Sequence, residues 1–439
     1  MESLLQWKGQ KQRKPLLLKG VRQVGKTHLL KEFGRLYFPH FHYFNFEKQP
    51  ALAKIFEQDL VPERILTELE FSSNRPINVE TDLVIFDEIQ EAPKALTSLK
   101  YFQEDCPKLH LVGAGSLLGL HLSPLSFPVG KVTFETLRPM TFEEFLMANE
   151  DKALPLLENL KARQTLPEIV HEHLWEQLKH YFIVGGLPEI VATYCENKGH
   201  LFEAFSLVRK KQADLLNTYY ADIAKHSGKI NAMHIDRVFR SVANQLQQTH
   251  DGSIARFKFK GVIPGVTHYD RLANVIDWLE AAGLIVKVHI VNTGHLPFRG
   301  YAKENLFKLF LFDVGMLGSM CGLPPGVILD YDYGSYKGYF AENYVAEELL
   351  GHGMDALFSW QEKTAEVEFL AEVNGAVIPL EVKSGSVTKA KSLRVFSEKY
   401  KPPYQVVFSA HSLDIKENHP IHYYPLYLAG FFPLKDQLV

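Results

Sequence analysis

The sequence is poor in the features that mark disulfide-rich, membrane or strongly basic proteins. It has only 3 cysteines among 439 residues. They lie far apart at Cys106, Cys195 and Cys321, so neither a disulfide framework nor a cysteine-type zinc site is indicated. No apolar stretch approaches the roughly 18 residues of a membrane span. The formal net charge of −3 supplies no general attraction to nucleic acid, so any such contact must come from local patches.

Other absences narrow the class further. The chain has no internal repeat and no low-complexity tract, and its 19 histidines show no H-E-x-x-H spacing of a metal site. The first residues, MESLLQWKGQKQRK, contain no apolar core of a signal peptide. Together with the low cysteine content, this predicts a cytoplasmic protein. The length predicts about two to four domains.

The clearest motif lies in the segment KPLLLKGVRQVGKTHLLK, from Lys14 to Lys31. Its apolar run is typical of a buried parallel strand, and the residues that follow fit the phosphate-loop pattern G-x-x-x-x-G-K-[ST]. Glycines in such a loop let backbone N–H groups surround an anion. An ordinary strand-to-helix turn is the alternative. The predicted nucleotide-binding residues are Gly20, Val21, Arg22, Gln23, Val24, Gly25, Lys26, Thr27 and His28.

Asp87, Glu88 and Ser116 complete a predicted catalytic set with Lys26 and Thr27. Lys26 is expected to contact the β- and γ-phosphates and Thr27 to bind Mg²⁺. The apolar strand LVIFDE ends in Asp87, a second candidate Mg²⁺ ligand, and in Glu88, a candidate base for the attacking water. Ser116 ends the next strand and is a candidate γ-phosphate sensor, although a plain strand-ending turn is nearly as good an interpretation.

The first 150 residues alternate between strand and helix patterns. Strands are predicted at Phe41–Phe46, at Leu83–Glu88, at Leu109–Ser116 and from Val129 to Leu137. Helical patterns cover residues 27–36 and 52–69. This alternation predicts an α/β fold with a parallel, doubly wound sheet that binds nucleotide at its carboxyl edge. No N-K-x-D motif for guanine is present, so ATP is favoured over GTP.

The phosphate loop, LVIFDE, VGAGS and the segments SFPVGKV and PMTFEEF together resemble the prokaryotic AAA-type ATPases of the archaeal-ATPase group. Those proteins carry a C-terminal domain of unknown function with a restriction-nuclease-like core. The resemblance implies an additional-strand ATPase core in which Glu88 is the general base. It also implies that the turn Gly185-Gly186-Leu187-Pro188 belongs to a helical lid, for which a simple helix-loop-helix is the alternative.

The middle of the chain shows helices followed by a strand. Helical patterns cover residues 235–246 and 268–282, and a strand follows at Leu284–Val291. This order is the outline of a winged helix, which the resemblance also implies. The second helix offers only Arg271 against three acidic residues, which is a poor surface for phosphate. A winged helix that contacts protein is therefore as good an expectation as one that binds DNA.

A hairpin near the C-terminus carries a candidate metal site. Its Asn374-Gly375 turn sets Glu368 opposite Glu381, and a divalent cation would remove the repulsion between the two carboxylates. With Lys383, this arrangement resembles the PD-(D/E)xK nuclease core, and Glu342 on a preceding helix is the candidate third acid. The nuclease pattern has Asp where Glu368 stands and Pro where Val367 stands. The alternative is a scaffold without activity, in which Lys383 pairs with Glu366.

The sequence therefore predicts four domains: 1–150 an AAA-like P-loop ATPase, 151–228 a helical lid, 229–300 a winged-helix-like segment and 301–439 a PD-(D/E)xK nuclease-like domain. The predicted function is Mg²⁺-dependent ATP hydrolysis coupled to a DNA- or protein-directed C-terminal module. The alternatives are a nucleotide-dependent DNA-binding switch with little turnover and an ATP-gated, metal-dependent DNA nuclease. The predicted ligands are ATP, Mg²⁺ and a second divalent cation in the C-terminal domain, with DNA, a protein partner or an oligomer as possible partners and no membrane.

Overall fold

The computed structural model describes residues 1–116, 130–158, 160, 165–227, 229–246, 256–334, 336–385, 391–415 and 419–434. The chain forms two compact units, of which the first is Met1–Arg138 with Ala281–Gly283 and the second is Pro139–Glu280 with Leu284–Val439. The start of the predicted fifth strand and the segment from Ser126 to Val129 lie outside the described residues. No described helix is both long enough and apolar enough to cross a membrane.

The described residues of the first unit form a parallel sheet of five strands in the order β2-β3-β4-β1-β5. The strands are β1 Leu16–Lys19, β2 Phe41–Asn45, β3 Leu83–Asp87, β4 His110–Gly115 and β5 Thr133–Thr136. The predicted parallel α/β sheet is thus confirmed. Strand β4 separates the phosphate-loop strand β1 from the acidic strand β3, which is the additional strand that the resemblance implied.

Apolar cores lie on both faces of this sheet. Alternate side chains of a strand point to opposite faces, so Leu17 belongs to one buried cluster and its neighbours Leu16 and Leu18 belong to the other. Both clusters are covered by helices, as a parallel sheet requires. The helices are Glu2–Gly9, Lys26–Tyr37, Pro62–Ser73 and Pro93–Asp105, with 3₁₀ turns at Pro50–Phe56 and Ile89–Glu91.

One helical prediction in this unit is wrong. The pattern at residues 52–69 predicted one helix, whereas the structure has a 3₁₀ turn that ends at Phe56 and a separate α-helix that starts at Pro62. Proline has no backbone N–H and therefore fits the first turn of a helix but not its interior. Pro62 thus begins the second helix.

The second unit is rich in helices. They are Phe142–Ala148, Leu154–Glu158, Glu168–Val184, Pro188–Asn197, Leu201–Ser227, Lys229–Leu246, Ala273–Ala281, Val314–Met320, Pro325–Leu329, Tyr336–Gly351 and Lys391–Tyr400, with 3₁₀ turns at Tyr269–Arg271, Phe298–Gly300 and Leu426–Phe431. The first of them begins with a capping box: Glu144 N donates to Thr141 Oγ1, and Thr141 N donates to Glu144 Oε2.

The predicted glycine turn joins two of these helices, and its backbone is tightly enclosed. Gly185 has a φ of 75°, and Gly186 N donates to the buried Asp313 Oδ2 over 2.7 Å. A Cβ on Gly186 would lie 2.1 Å from Met140 O. Only glycine fits at position 186, because there is no room for a side chain. Position 185 favours glycine for a different reason, its positive φ angle.

In the described part of the second unit, the sheet has seven strands in the order β12-β11-β10-β9-β8-β6-β7. They are β6 Ile285–Val291, β7 Phe307–Leu311, β8 Leu357–Glu362, β9 Ala365–Val373, β10 Ala376–Val382, β11 Gln405–Ser409 and β12 Ile421–Pro425. The pairs β6–β8, β10–β11 and β11–β12 are parallel, and the other three neighbouring pairs are antiparallel. Phe358 and Trp360 are buried in its core.

The winged-helix interpretation is not confirmed. The strand predicted for that segment, β6, does have an antiparallel return strand, β7, but β6 also pairs with β8 inside the seven-stranded sheet. The helix predicted at residues 268–282 is shorter, because a 3₁₀ turn occupies Tyr269–Arg271 and the α-helix starts at Ala273. The predicted boundary at residue 300 therefore falls between two paired strands. The four-domain division stays a prediction.

Candidate functional site

The phosphate loop connects the end of β1 to the helix Lys26–Tyr37. Gly20, Gln23 and Gly25 all have positive φ angles, of 155°, 64° and 99°. A Cβ on Gly20 would lie 2.4 Å from Leu137 O, so this glycine is required by a close approach of two backbone segments. The loop thus has the backbone form that lets consecutive N–H groups surround an anion at a helix start.

Lys26 is held inside this loop. Its Nζ donates to the carbonyl oxygens of Gly20, over 2.8 Å, and Val21, over 3.0 Å, and only 6% of the residue is exposed. Burial lowers the pKa of Lys26 to about 8, although the charges of Glu88 and Asp87 partly oppose that shift. An incoming phosphate would take the place of the two carbonyl oxygens as the partner of the ammonium group.

Thr27 and Asp87 meet at the end of β3. The Thr27 hydroxyl donates to Asp87 Oδ2 over 2.7 Å, although 60 positions separate the two residues in the chain. Asp87 is almost fully buried. The contact joins the phosphate loop to the acidic strand and brings together the two candidate Mg²⁺ ligands.

Two residues that the sequence analysis missed share the same carboxylate oxygen. The Tyr43 hydroxyl donates to Asp87 Oδ2 over 2.7 Å, and Asn45 Nδ2 lies 3.3 Å from it. Burial and the hydrogen bond to Asp87 raise the pKa of Tyr43 above its ordinary range. A signal was present in the sequence: residues 43 and 45 share one face of β2, and Asn45 is in register with Asp87.

Glu88 follows Asp87 with a φ of 50°, in the left-handed region that few residues other than glycine adopt. Burial and the neighbouring Asp87 charge raise the pKa of Glu88, while a hydrogen bond from Gln90 lowers it. The Gln90 Nε2 to Glu88 Oε2 distance is 2.6 Å. A strained, partly desolvated carboxylate beside a metal-ligand candidate has the character of a functional residue.

Ser116 lies at the same edge of the sheet. It follows β4, and Ala114 of that strand is in register with Asp87. The structure therefore brings Ser116 near the carboxyl end of β3, where a sensor is expected. Its role stays a prediction.

The oxygen atoms at this edge fit a magnesium ion. Mg²⁺ prefers hard oxygen ligands and is usually held by one or two protein groups together with substrate phosphates and water. The Thr27 hydroxyl and the Asp87 carboxylate are such groups, and they already lie within hydrogen-bond distance of each other. The donor set therefore suits Mg²⁺ bound together with a nucleotide.

The residues of the candidate C-terminal site also lie close together, but lysine side chains pair with their carboxylates. The hairpin register runs as predicted as far as Leu380 opposite Phe369. Lys383 Nζ lies 2.5 Å from Glu381 and 3.9 Å from Glu368. Glu342, the candidate third acid, is buried on the helix Tyr336–Gly351. The four residues of the candidate nuclease site are thus placed together in the second unit.

A second lysine, Lys308, was not predicted from the sequence and lies beside these residues. With Glu366 it extends them to a charged cluster of Glu342, Glu366, Glu368, Glu381, Lys308 and Lys383. Lys308 on β7 lies 3.3 Å from Glu342 Oε2 and forms an ion pair with Glu366, with only 1% of its side chain exposed. The alternative pairing of Lys383 with Glu366 is therefore wrong, because Lys308 takes Glu366 as its partner. The sequence did not indicate these partners for Lys308, because Glu342 and Glu366 lie far from it in the chain.

The structure gives no support for a divalent cation in this cluster. Each of its four carboxylates, on Glu342, Glu366, Glu368 and Glu381, already has a lysine partner. The charge of Lys308 balances Glu342 and Glu366, as a bound cation would otherwise do. Burial raises the pKa of Glu342 to about 7 and that of Glu381 to about 8. Among the described residues, no group of three or more His, Cys, Asp or Glu side chains is arranged to hold a metal ion. The predicted second cation is therefore not supported.

The sheet order, the glycine loop after β1 and the paired Thr27 and Asp87 define a P-loop nucleotide-binding domain with an additional central strand. Residues 12–146 match the family described as AAA domain. This match supports the resemblance to AAA-type proteins for this part of the chain. Residues 175–326 and 337–428 match two families described only as domains of unknown function, DUF8612 and DUF4143. No curated protein matches the chain.

Three solved structures are similar over most of their length. A Walker-type ATPase of Pyrococcus abyssi is 15% identical, with 70% of this chain and 91% of that chain covered and a TM-score of 0.43. The Aeropyrum pernix ORC1 protein in complex with DNA is 16% identical, with 75% and 91% covered and a TM-score of 0.28. Drosophila ORC bound to DNA is 15% identical, with 74% and 94% covered and a TM-score of 0.28.

Proposed function

We propose that the protein binds Mg·ATP in the first unit and hydrolyses it. The observation that carries this proposal is the contact of the Thr27 hydroxyl with Asp87, which joins the phosphate loop to the acidic strand. The match of residues 12–146 to the AAA domain family supports it. The absence of a guanine motif in the sequence favours ATP as the nucleotide.

Each residue of the site has a defined part in this reaction. The loop N–H groups and Lys26 bind the β- and γ-phosphates, and Thr27 and Asp87 hold Mg²⁺. When bound, Mg²⁺ neutralises the phosphate charge that develops during transfer. Glu88 orients the attacking water and accepts its proton. Ser116 is positioned to report on the γ-phosphate.

Two variants test this assignment. Lys26→Ala should abolish productive ATP binding, because the loop loses its phosphate-binding cation. Glu88→Gln should bind ATP as tightly as the wild type and should not turn it over, because the amide cannot accept the proton. ATP turnover and nucleotide affinity are measured for both variants. A Glu88→Gln protein that hydrolyses ATP at the wild-type rate would contradict the assignment of Glu88 as the base.

The second unit is proposed to be the module on which the nucleotide acts. The direct test is ATP turnover with and without duplex DNA, with Lys26→Ala as the blank. Stimulation by DNA would support a nucleic-acid role, whereas turnover indifferent to DNA would favour a protein partner. If one nucleotide is bound per chain without multiple turnover, the protein is instead a nucleotide-dependent switch.

A nuclease activity is not favoured by the charge balance of the C-terminal cluster. Lys308 pairs with Glu342, and Lys383 pairs with Glu368 and Glu381, so the three carboxylates of the candidate nuclease site already have cationic partners. We therefore expect no DNA cleavage by the wild type with Mg²⁺ or Mn²⁺. Cleavage that is lost in Glu381→Ala would reverse this conclusion.

A further inference from the structure

Gln90 contacts the candidate base from a buried position. Its Nε2 donates to Glu88 Oε2 over 2.6 Å, and only 8% of the residue is exposed. A carboxylate can only accept hydrogen bonds, so the NH₂ group must face Glu88 and the amide oxygen must point elsewhere. A hydrogen bond from a neutral donor to a charged acceptor is stronger than one between neutral groups.

The backbone that carries Gln90 is well anchored. Residues 89–91 form a 3₁₀ turn directly after Glu88, in which Glu91 N donates to Glu88 O and Ala92 N donates to Ile89 O, each over 3.0 Å. Ile89 is fully buried in one of the two cores of the sheet. The Gln90 side chain is therefore presented from a rigid support, which is what a group that orients another side chain requires.

The amide of Gln90 is retained at a cost to the fold. Its Oε1 is buried and has no hydrogen-bond partner among the described residues. A buried acceptor without a donor is unfavourable, and an apolar side chain of the same size would avoid that penalty. A function of the amide nitrogen on Glu88 explains why this position carries glutamine.

We propose that Gln90 is a positioning residue for ATP hydrolysis: its amide nitrogen holds the Glu88 carboxylate in the orientation in which it accepts the proton of the attacking water. Glu88 has two further constraints, its left-handed backbone and the donation of its own N–H to Asp87 Oδ1 over 3.1 Å. Both fix its main chain and leave the side chain free to rotate. Gln90 supplies the missing constraint on the carboxylate.

The inference rests on the proposed ATP hydrolysis and is tested by Gln90→Leu, which keeps the size and removes the donor. We expect the single-turnover rate of ATP hydrolysis to fall about tenfold and ATP affinity to change less than about twofold, because Gln90 acts through Glu88 and not on the phosphates. Gln90→Glu should lower the rate at least as much, because it places a like charge beside Glu88.

Gln103→Leu is the matched control. Gln103 lies in the same unit, on the helix Pro93–Asp105, and its Oε1 is also buried without a partner among the described residues. It should hydrolyse ATP like the wild type. In a Glu88→Gln background, Gln90→Leu should have no further effect on the residual rate, because the carboxylate on which it acts is gone.

The outcomes separate this inference from the proposed function. If the wild type hydrolyses ATP no faster than Lys26→Ala, the proposed function fails and this inference fails with it. If the wild type is active and Gln90→Leu keeps the full rate, only the role of Gln90 is refuted. A parallel loss of affinity and rate in Gln90→Leu would assign Gln90 to the structure of the site and would also refute the positioning role.

Discussion

Removal of the buried cation at Lys308 should strongly destabilise the second unit. Lys308 is an ion-pair partner of Glu342 and Glu366 inside the protein. Burial disfavours its charge, but the three nearby glutamates more than offset this, so the pKa of Lys308 is raised. Lys308→Met would leave the carboxylates buried without their cation. Breaking a buried pair in this way costs about 3 to 5 kcal/mol in the free energy of unfolding.

A double variant distinguishes the loss of an ion pair from a packing defect. The double variant Lys308→Met with Glu342→Gln removes charge from both partners, so it should be more stable than Lys308→Met alone. The free energies are measured by urea denaturation and followed by tryptophan fluorescence, because Trp360 is buried in the same sheet. Lys399→Met, which removes a partly exposed lysine paired with Glu362, is the control and should leave the transition unchanged.

Two results would refute this reasoning. A loss below about 1 kcal/mol in Lys308→Met would put the pair in the range of surface ion pairs and would show that water or protons already balance the glutamates. A double variant no more stable than Lys308→Met would show that the loss came from the lysine stem and not from its charge.

The remaining predictions concern two other contacts of the second unit. Burial raises the pKa of Glu348 from 4.5 to about 7, so its contribution to stability is complete below pH about 4.5 and is lost as the pH rises through about 7. Glu348→Gln should therefore remove up to about 3 kcal/mol of this pH dependence, measured by urea denaturation between pH 4.5 and 8, while Gln Oε1 still accepts from Phe142 N. Gly186→Ala should destabilise the unit by about 3 kcal/mol in the same assay, because its Cβ would lie 2.1 Å from Met140 O.

Both predictions have controls in the same unit. Glu203 is an exposed glutamate, so Glu203→Gln should leave the pH dependence intact. A Cβ on Gly199 would meet nothing within 4 Å, so Gly199→Ala should be tolerated. A Glu348→Gln protein with the wild-type pH profile, or a Gly186→Ala protein as stable as Gly199→Ala, would contradict the corresponding contact.

The geometry of the candidate nucleotide site was predictable because it is encoded locally. The loop from Gly20 to Thr27 needs particular residues at fixed spacing. Glycines permit its backbone angles, and Lys26 and Thr27 are the first two residues of the helix that follows it. Asp87 was identified because carboxyl ends of parallel strands meet at one edge. The hairpin register that brings Glu368 towards Glu381 was likewise set by the local Asn374-Gly375 turn.

Other features depended on contacts between distant segments and were decided only by the tertiary structure. Lys308 reaches Glu342 and Glu366 because three separate elements pack together, and nothing near position 308 in the sequence indicates its partners. The inclusion of β6 in the seven-stranded sheet depends on its pairing with β8, far along the chain. Local patterns determine which residues form a strand, a turn or a phosphate loop. Which strand lies beside which, and which charge is balanced by which, follows from packing of the whole unit.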